Sequence, residues 1–298
     1  RWPIAGDVND TEINKILPNI FYEKKIDATD NLLKYLLEVA YSEEPWVHSK
    51  NGLNEKLNCV GSGKRNIRVY LFQCSSINKV IELKKRIRDI YNLDKHSIHI
   101  TDTNLEVQAL ANIVFHENTI DFLNSGFLAE KTKSIRIKLE ILKNFSQRNP
   151  NLNFLIDRSF LLEIMGMREA ADIDIITIKN EVFENTDPVI NRCSQAHFYH
   201  DQGENELIFN PDNHIILYGM KIISPQILLR YKVQRSEKKD FADIEFLQKK
   251  LTVKRYKTLM IRFKSRYRYQ VYVFRRFIIL ILDLIGVKDF IKEKIGKK

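Results

Sequence analysis

The chain has 298 residues, of which 44% are hydrophobic, 29% charged and 10% aromatic, and its net charge is +10. This composition predicts a globular protein with a sizeable core and excludes disordered and collagen-like chains, and the length favours more than one domain. The order of the predicted strands and helices places the chain in the α/β (α+β) class. The three cysteines share no metal-ligand spacing and follow no N-terminal signal segment. We therefore expect neither a disulfide framework nor a structural zinc site, and we expect a reducing, cytoplasmic location.

The first 128 residues are predicted to form a small α/β domain. Residues 1–50 are interpreted as helical, with Asp30 as the N-cap of an amphipathic helix. The predicted elements then alternate in kind: a strand at 67–72, a helix from 75, a strand at 96–100, a helix at 104–115 and a strand at 119–123. This alternation predicts a small sheet, with parallel pairing as one option.

A second domain is predicted over residues 129–250. It begins with a basic amphipathic helix at 131–145, which Asn149-Pro150-Asn151 ends. The elements predicted after it are a strand at 154–156, a helix at 159–165, a strand at 172–178, a strand pair within 215–223 around Gly219, and a helix that starts at Ser224-Pro225.

Two aspartates occupy alternate positions of the strand predicted at 172–178. Because side chains i and i+2 of a strand point to one face, Asp172 and Asp174 can hold a divalent cation between them. Oxygen ligands suit Mg²⁺ or Mn²⁺, which bridge phosphate oxygens in phosphoryl transfer. Gly166 would let the backbone approach a phosphate, and Arg168 can neutralise it. The alternative for an isolated Asp-x-Asp strand is a solvated face.

The helix at 159–165, the glycine turn and the Asp-x-Asp strand together resemble the nucleotidyltransferase fold superfamily, whose motif is a helix, a glycine turn and a strand with two metal-binding carboxylates. Residues 223–235, followed by Lys239-Asp240-Phe241-Ala242-Asp243-Ile244, resemble the segment after the catalytic core in abortive-infection-type members. Residues 160–169 are also similar to the fukutin and LicD-type branch, which transfers phospho-substituents onto glycans. Two features depart from the family pattern: Met167 replaces the usual serine, and the gap from Gly166 to Asp172 is short.

This resemblance implies a metal-dependent transferase that moves a nucleotidyl or other phospho-group from a nucleotide or nucleotide-sugar donor to an acceptor such as a glycan, with Mg²⁺ or Mn²⁺ as cofactor. The implied catalytic residues are Asp172, Asp174 and Arg168. The implied substrate-binding residues are Gly166, Ser159, Lys232, Arg235 and Lys239. Glu206 is assigned as the family's third metal-binding carboxylate, with Glu204 and Asp212 as alternatives.

Other residues leave alternatives open. For Lys232 and Arg235, the alternative is a salt-bridge cluster with the neighbouring aspartates. His99 and Asp102, at the end of a predicted strand, are candidates for substrate contact. His197 and His200 are three residues apart, but ordinary polar histidines are favoured over metal ligands.

The last segment, residues 251–298, is strongly basic. It contains 14 Lys and Arg against three Asp and Glu, a net charge of +11, whereas the rest of the chain has a net charge of −1. Its apolar run at 277–282 is too short to span a bilayer. A helical segment that attaches peripherally to an anionic membrane surface is one interpretation, and packing on its own domain is another. Two rival functions stay open: a catalytically degenerate module that binds nucleotide or sugar, and nucleic-acid binding through this segment.

Overall fold

The computed structural model describes residues 1–251, except positions 8, 50, 179, 180, 186, 194–198 and 200–202, and it also describes residue 274. The predictions for His197, for His200 and for nearly all of the basic segment therefore lie outside the described residues. Within the described part of the chain, no helix is both long and apolar enough to cross a bilayer.

The chain divides into two compact units. The first unit comprises Arg1–Glu140, Ile164–Gly166 and His214–Ile222. The second comprises Ile141–Glu163, Met167–Asn213 and the chain from Ile223 onward. The domain boundary placed after residue 128 remains a prediction, because compactness alone does not show which segments fold independently.

The N-terminal part of the chain is mainly helical and carries a two-stranded sheet. Its elements are α1 (Asp10–Ile16), β1 (Ile20–Asp27), α2 (Asp30–Ala40), α3 (Gly52–Val60), β2 (Asn66–Phe72), α4 (Ile77–Tyr91), α5 (Asn104–Val114), α6 (Glu117–Asn124) and α7 (Lys133–Arg148). Strands β1 and β2 are antiparallel, with Ile26 opposite Ile67, and both of these residues are buried. A cluster in this unit joins α1 to α4 through its buried residues, which are Ile13, Leu17, Ile87, Tyr91 and Ile98.

Three predictions for this part of the chain are wrong. Residues 1–50 are not all helical, because β1 lies within them; this strand lacks apolar alternation, and its adjacent Phe21 and Tyr22 are both exposed. Residues 96–100 do not form a strand. The first of them, His96, ends a short 3₁₀ helix, Asp94–His96, and the others have no regular secondary structure. Residues 119–123 belong to α6, whose N-cap is the His116 side chain. The predicted three-stranded sheet is therefore absent from this described segment, in which β2 pairs with β1 instead.

The rest of the chain builds a five-stranded mixed sheet with helices. Its elements are β3 (Phe154–Asp157), α8 (Ser159–Ile164), β4 (Ile173–Thr177), β5 (Ile190–Arg192), α9 (Glu204–Phe209), β6 (His214–Leu217), β7 (Met220–Ile223), α10 (Pro225–Arg235) and α11 (Asp240–Lys250). The strand order is β5-β4-β3-β7-β6, with β3 antiparallel and β5 parallel to β4. The mixed α/β class is confirmed, as are the strands and helices predicted here from the sequence.

The strands β3 and β4 are buried on both faces. Successive residues, Leu155 with Ile156 on β3 and Ile175 with Ile176 on β4, all have 1% exposure or less. Such strands are normally continuous apolar runs. A carboxylate on either strand is therefore an exception that requires a partner.

Candidate functional site

Polar side chains form a row across three neighbouring strands of the sheet. Asp157 of β3 lies opposite Asp174 of β4, and Asp174 is in register with Asn191 of β5. Because side chains in register share a face of the sheet, Asp157, Asp174 and Asn191 lie on one face, and Asp172 lies at a bend directly before β4. The Nδ2 group of Asn191 donates a hydrogen bond to Asp172 Oδ2 at 3.2 Å. We call Asp157, Asp172, Asp174 and Asn191 the carboxylate row.

Asp157 is the completely buried member of the carboxylate row. Its carboxylate accepts hydrogen bonds from the Tyr199 hydroxyl and from the backbone N–H of Arg158, the latter at 2.8 Å. Burial raises the pKa of Tyr199 well above its usual value, and the charge of Asp157 adds to this rise. Tyr199 therefore remains a protonated donor to Asp157.

The Arg158 guanidinium lies between two carboxylates of the row. Its Nε is 3.2 Å from Asp157 Oδ2 and 3.5 Å from Asp174 Oδ2. Burial raises the pKa of Asp174 above its usual value; the Arg158 charge opposes this rise, whereas Asp172 and Asp157 add to it. The row therefore concentrates more negative charge than Arg158 alone neutralises.

The turn that leads into β4 is fixed at several points. Gly166 has φ +74°, and the N–H of Met167 bonds to the carbonyl of Leu162, which is the Schellman arrangement at a helix end. The buried Glu163 accepts a hydrogen bond from the Ala170 N–H at 2.9 Å. Gly166 thus ends α8, and the turn delivers Asp172 to the row.

Arg168 extends from the same turn to α11. Its Nε and Nη2 donate to the two carboxylate oxygens of Asp243, at 3.1 and 3.0 Å. The hydrogen bond to Asp243 raises the pKa of Arg168, while burial opposes the rise. The Arg168 side chain is nevertheless 42% exposed, so part of its guanidinium group is accessible to an anion.

Lys232 and Arg235 are buried on α10 and paired within the unit. The Lys232 Nζ lies 3.0 Å from Asp240 and 2.9 Å from Asp243. The Arg235 Nε donates to Asp240 at 2.8 Å, and its Nη1 donates to the Tyr231 hydroxyl at 3.1 Å. These contacts match the salt-bridge alternative, and a role in substrate binding stays a prediction for both residues.

The remaining predicted site residues lie on helix starts or on the surface. Ser159 is the first residue of α8, and the exposed Lys239 is the N-cap of α11. Glu206 lies on α9 rather than on a strand, and it accepts a hydrogen bond from Asn210 Nδ2 at 2.6 Å. Its assignment as the third metal ligand stays a prediction.

No cluster of three or more His, Cys, Asp or Glu side chains is arranged around a common metal position among the described residues. Asp172 and Asp174 nevertheless supply the oxygen ligands that Mg²⁺ and Mn²⁺ prefer. A cationic group, the Arg158 guanidinium, already lies against Asp174. The chemistry of these side chains therefore fits a bound cation.

A cavity of about 470 Å³ lies in the first unit, and the described residues that line it include none of the predicted catalytic ones. It is lined mainly by apolar side chains, together with His99 and Asp102. His99 pairs with Glu106 at 2.5 Å, and Asp102 pairs with Lys84 at 2.6 Å. Substrate contact by His99 or Asp102 remains a prediction.

Comparisons with protein-family models, with curated proteins and with solved structures find no match to this chain. We therefore argue its function from the side chains of the carboxylate row and their surroundings.

Proposed function

We propose that this protein is a divalent-cation-dependent transferase with a nucleotidyltransferase fold. It moves a nucleotidyl or other phospho-group from a nucleotide or nucleotide-sugar donor to an acceptor, of which a glycan is one class. The observation that carries this proposal is that Asp174 on β4 lies opposite Asp157 on β3, while Asp172, directly before β4, bonds to Asn191 of β5.

The two aspartates are suited to hold Mg²⁺ or Mn²⁺ because Asp174 projects from the buried strand β4 and Asp172 lies two residues before it. When bound, such a cation supplies charge stabilisation to the phosphate oxygens of an in-line displacement. Asp174 is held in place by the pairing of β4 with both β3 and β5, and Asp172 by Asn191. This support restricts the motion of both ligands, which is what a precise phosphoryl-transfer site requires.

The accessible basic residues suit the anionic donor. Arg168 keeps an open edge while Asp243 fixes its orientation, and the Lys239 side chain is 70% exposed. Lys232 and Arg235 are buried in ion pairs that join α10 to α11, and their role in substrate binding stays a prediction. The donor phosphates are therefore assigned to Arg168 and Lys239.

The test is the thermal stability of the full chain during titration with MgCl₂ and with MnCl₂. A ligand that binds only the folded state raises stability by about 2.7 kcal/mol at a concentration of 100 Kd. The melting temperature is expected to rise for the wild type and for the surface control Glu55→Gln, but not for Asp172→Asn or Asp174→Asn. Glu206→Gln tests the third ligand, and a full cation shift in Asp174→Asn would contradict the metal site.

Catalysis itself is tested by incubating the protein with nucleotide and nucleotide-sugar donors and acceptor glycans, with detection by mass spectrometry. Transfer is expected from the wild type and is expected to fall by orders of magnitude in Asp174→Asn.

A second candidate is a catalytically degenerate module that binds nucleotide or sugar. It is favoured by Arg158, whose guanidinium already lies at the place beside Asp157 and Asp174 where a metal cation would be expected. Such a module would be stabilised by a donor without forming product, and its stabilisation would be the same with and without Mg²⁺.

A further inference from the structure

Arg158 has an unusual backbone conformation at the junction of β3 and α8. Its φ is +54°, in the left-handed region that residues with a side chain rarely adopt. Such a conformation persists only where the surroundings hold it, and it is common at functional sites. Here it turns the side chain of a residue outside the strand back toward the carboxylate row.

The guanidinium is held by contacts of several kinds. It bonds to Asp157 at 3.2 Å, lies 3.5 Å from Asp174 and donates through Nη2 to Cys193 Sγ at 2.7 Å. Its Cζ lies 5.7 Å from the centre of the Tyr231 ring. Only 13% of the side chain is exposed, so water does little to screen its charge.

The two carboxylates around Arg158 are not equivalent. Asp157 is completely buried, adjoins Arg158 in sequence and bonds to its backbone N–H as well as to its side chain. Asp174 lies farther from the Arg158 Nε, at 3.5 Å, and its side chain is 12% exposed. The contact to Asp174 is therefore the one that a competing cation can replace.

We propose that Arg158 competes with the divalent cation for Asp174, and that Asp157 serves to hold Arg158 rather than to bind the cation. This inference rests on the proposed function. Arg158 lies against Asp174 when the cation is absent and withdraws toward Asp157 when Asp174 binds it, because two cations at one carboxylate repel each other strongly in a dry site. Cation affinity is thereby lowered, and a donor that brings its own phosphate oxygens to the cation restores it.

The experiment measures the Kd of Mn²⁺ for the full-length protein, with free Mn²⁺ followed by electron paramagnetic resonance. Arg158→Gln is expected to bind Mn²⁺ at least tenfold more tightly than the wild type, because it removes the competing charge. The matched control is Arg192→Gln. Arg192 lies on β5, but its guanidinium contacts Thr177 and the carbonyls of Ile178 and Glu181, so this change removes one positive charge from the same sheet without touching Asp174. Its Kd is expected to stay within about twofold of the wild-type value.

Arg158→Gln leaves the buried Asp157 without its partner, and this change alone can prevent folding. A second variant covers that outcome. Asp157→Asn combined with Arg158→Gln removes both charges of this buried pair, which proteins tolerate better than the loss of one. The double variant is expected to bind Mn²⁺ as tightly as Arg158→Gln. A loss of binding would show that Asp157 is itself a ligand and would overturn the role assigned to it.

Asp174→Asn separates failure of this inference from failure of the proposed function. If Asp174→Asn abolishes Mn²⁺ binding while Arg158→Gln leaves the Kd at the wild-type value, the competition is refuted and the metal site stands. If neither the wild type nor the Arg158 variants bind Mn²⁺, both the competition and the proposed function are refuted. A merely structural role of Arg158 would lower the melting temperature but would not tighten Mn²⁺ binding.

Discussion

Gly166 and Gly219 both have a positive φ, at +74° and +75°, but their surroundings differ. A Cβ atom on Gly166 would lie 2.9 Å from the Cβ of Ala129, whereas a Cβ on Gly219 would meet nothing within 4 Å. Both positions therefore require a residue that adopts a positive φ, and of the two only Gly166 also lacks space for a side chain.

Gly166→Ala is expected to destabilise the protein more than Gly219→Ala. The left-handed conformation costs a residue with a Cβ about 1–2 kcal/mol, and this cost applies to both variants. Gly166→Ala must in addition displace Ala129, as overpacking does at a further cost of about 1–3 kcal/mol. Urea unfolding of both variants measures the difference, and equal losses would contradict the packing role of Gly166.

Residues of the candidate site could be predicted from the sequence only where the pattern that indicates them lies within one strand or turn. The alternation of polar and apolar residues over 172–178 indicates Asp172 and Asp174, and Gly166 indicates the turn before them. Asp157 and Arg158 join the site through the register between β3 and β4 and through a positive φ. Neither property has a pattern in a single sequence, so these two residues were missed.

At the scale of elements, α10 and α11 are joined by a buried ion-pair cluster. Asp240 is completely buried and pairs with Lys232 and with Arg235. Burial alone would raise the pKa of Asp240, but the hydrogen bond from Arg235 and the charge of Lys232 hold it below the usual value of 3.8. Its charged form is therefore the one that stabilises the fold.

Asp240→Asn is expected to lower the free energy of unfolding by about 3–5 kcal/mol, because it leaves buried cations without their partner. The control Lys239→Gln changes an exposed charge and is expected to cost less than about 1 kcal/mol. The stabilisation is complete above the usual carboxylate pKa and is lost as the pH falls through the lower pKa of the folded state. Below pH 4, the wild-type stability should thus fall more steeply than that of Asp240→Asn; parallel curves would exclude Asp240 as the titrating group.

Secondary structure was predictable where short apolar or alternating segments are bounded by clear turn residues. The strands β3 and β4 and the β6–β7 turn, whose Tyr218 and Gly219 both have positive φ, carry strong local signals. The apolar run at 119–123 has no such signal, because a short run fits a buried helix as well as a strand. Its helix is selected by tertiary contacts, in which Ile120, Phe122 and Leu123 are all buried.

At the scale of the whole molecule, the basic residues are concentrated in the last segment. Residues 251–298 have a net charge of +11, and the rest of the chain has −1. We propose that this segment attaches the protein to an anionic lipid surface, where each basic residue contributes about 1 kcal/mol.

The full chain is expected to sediment with anionic vesicles at low salt and to be released at high salt. Replacing Arg262, Arg266 and Arg268 by Gln should weaken vesicle binding by about 3 kcal/mol, or roughly 100-fold. The control replaces three exposed residues of α4 by Gln: Lys79, Lys85 and Arg86. It lowers the net charge by the same three units and should have little effect on vesicle binding. Equal binding by both triple variants would contradict attachment through the last segment.

The first unit is assembled from three separate stretches of sequence, the last of which is His214–Ile222. A ribosome that adds about 5–20 residues per second takes roughly 4–15 s to pass from residue 140 to residue 214. During that interval the nascent N-terminal helices lack this stretch, whose Leu217 and Ile222 are completely buried in the finished protein. The N-terminal helices of the first unit are therefore synthesised several seconds before the stretch that completes the unit.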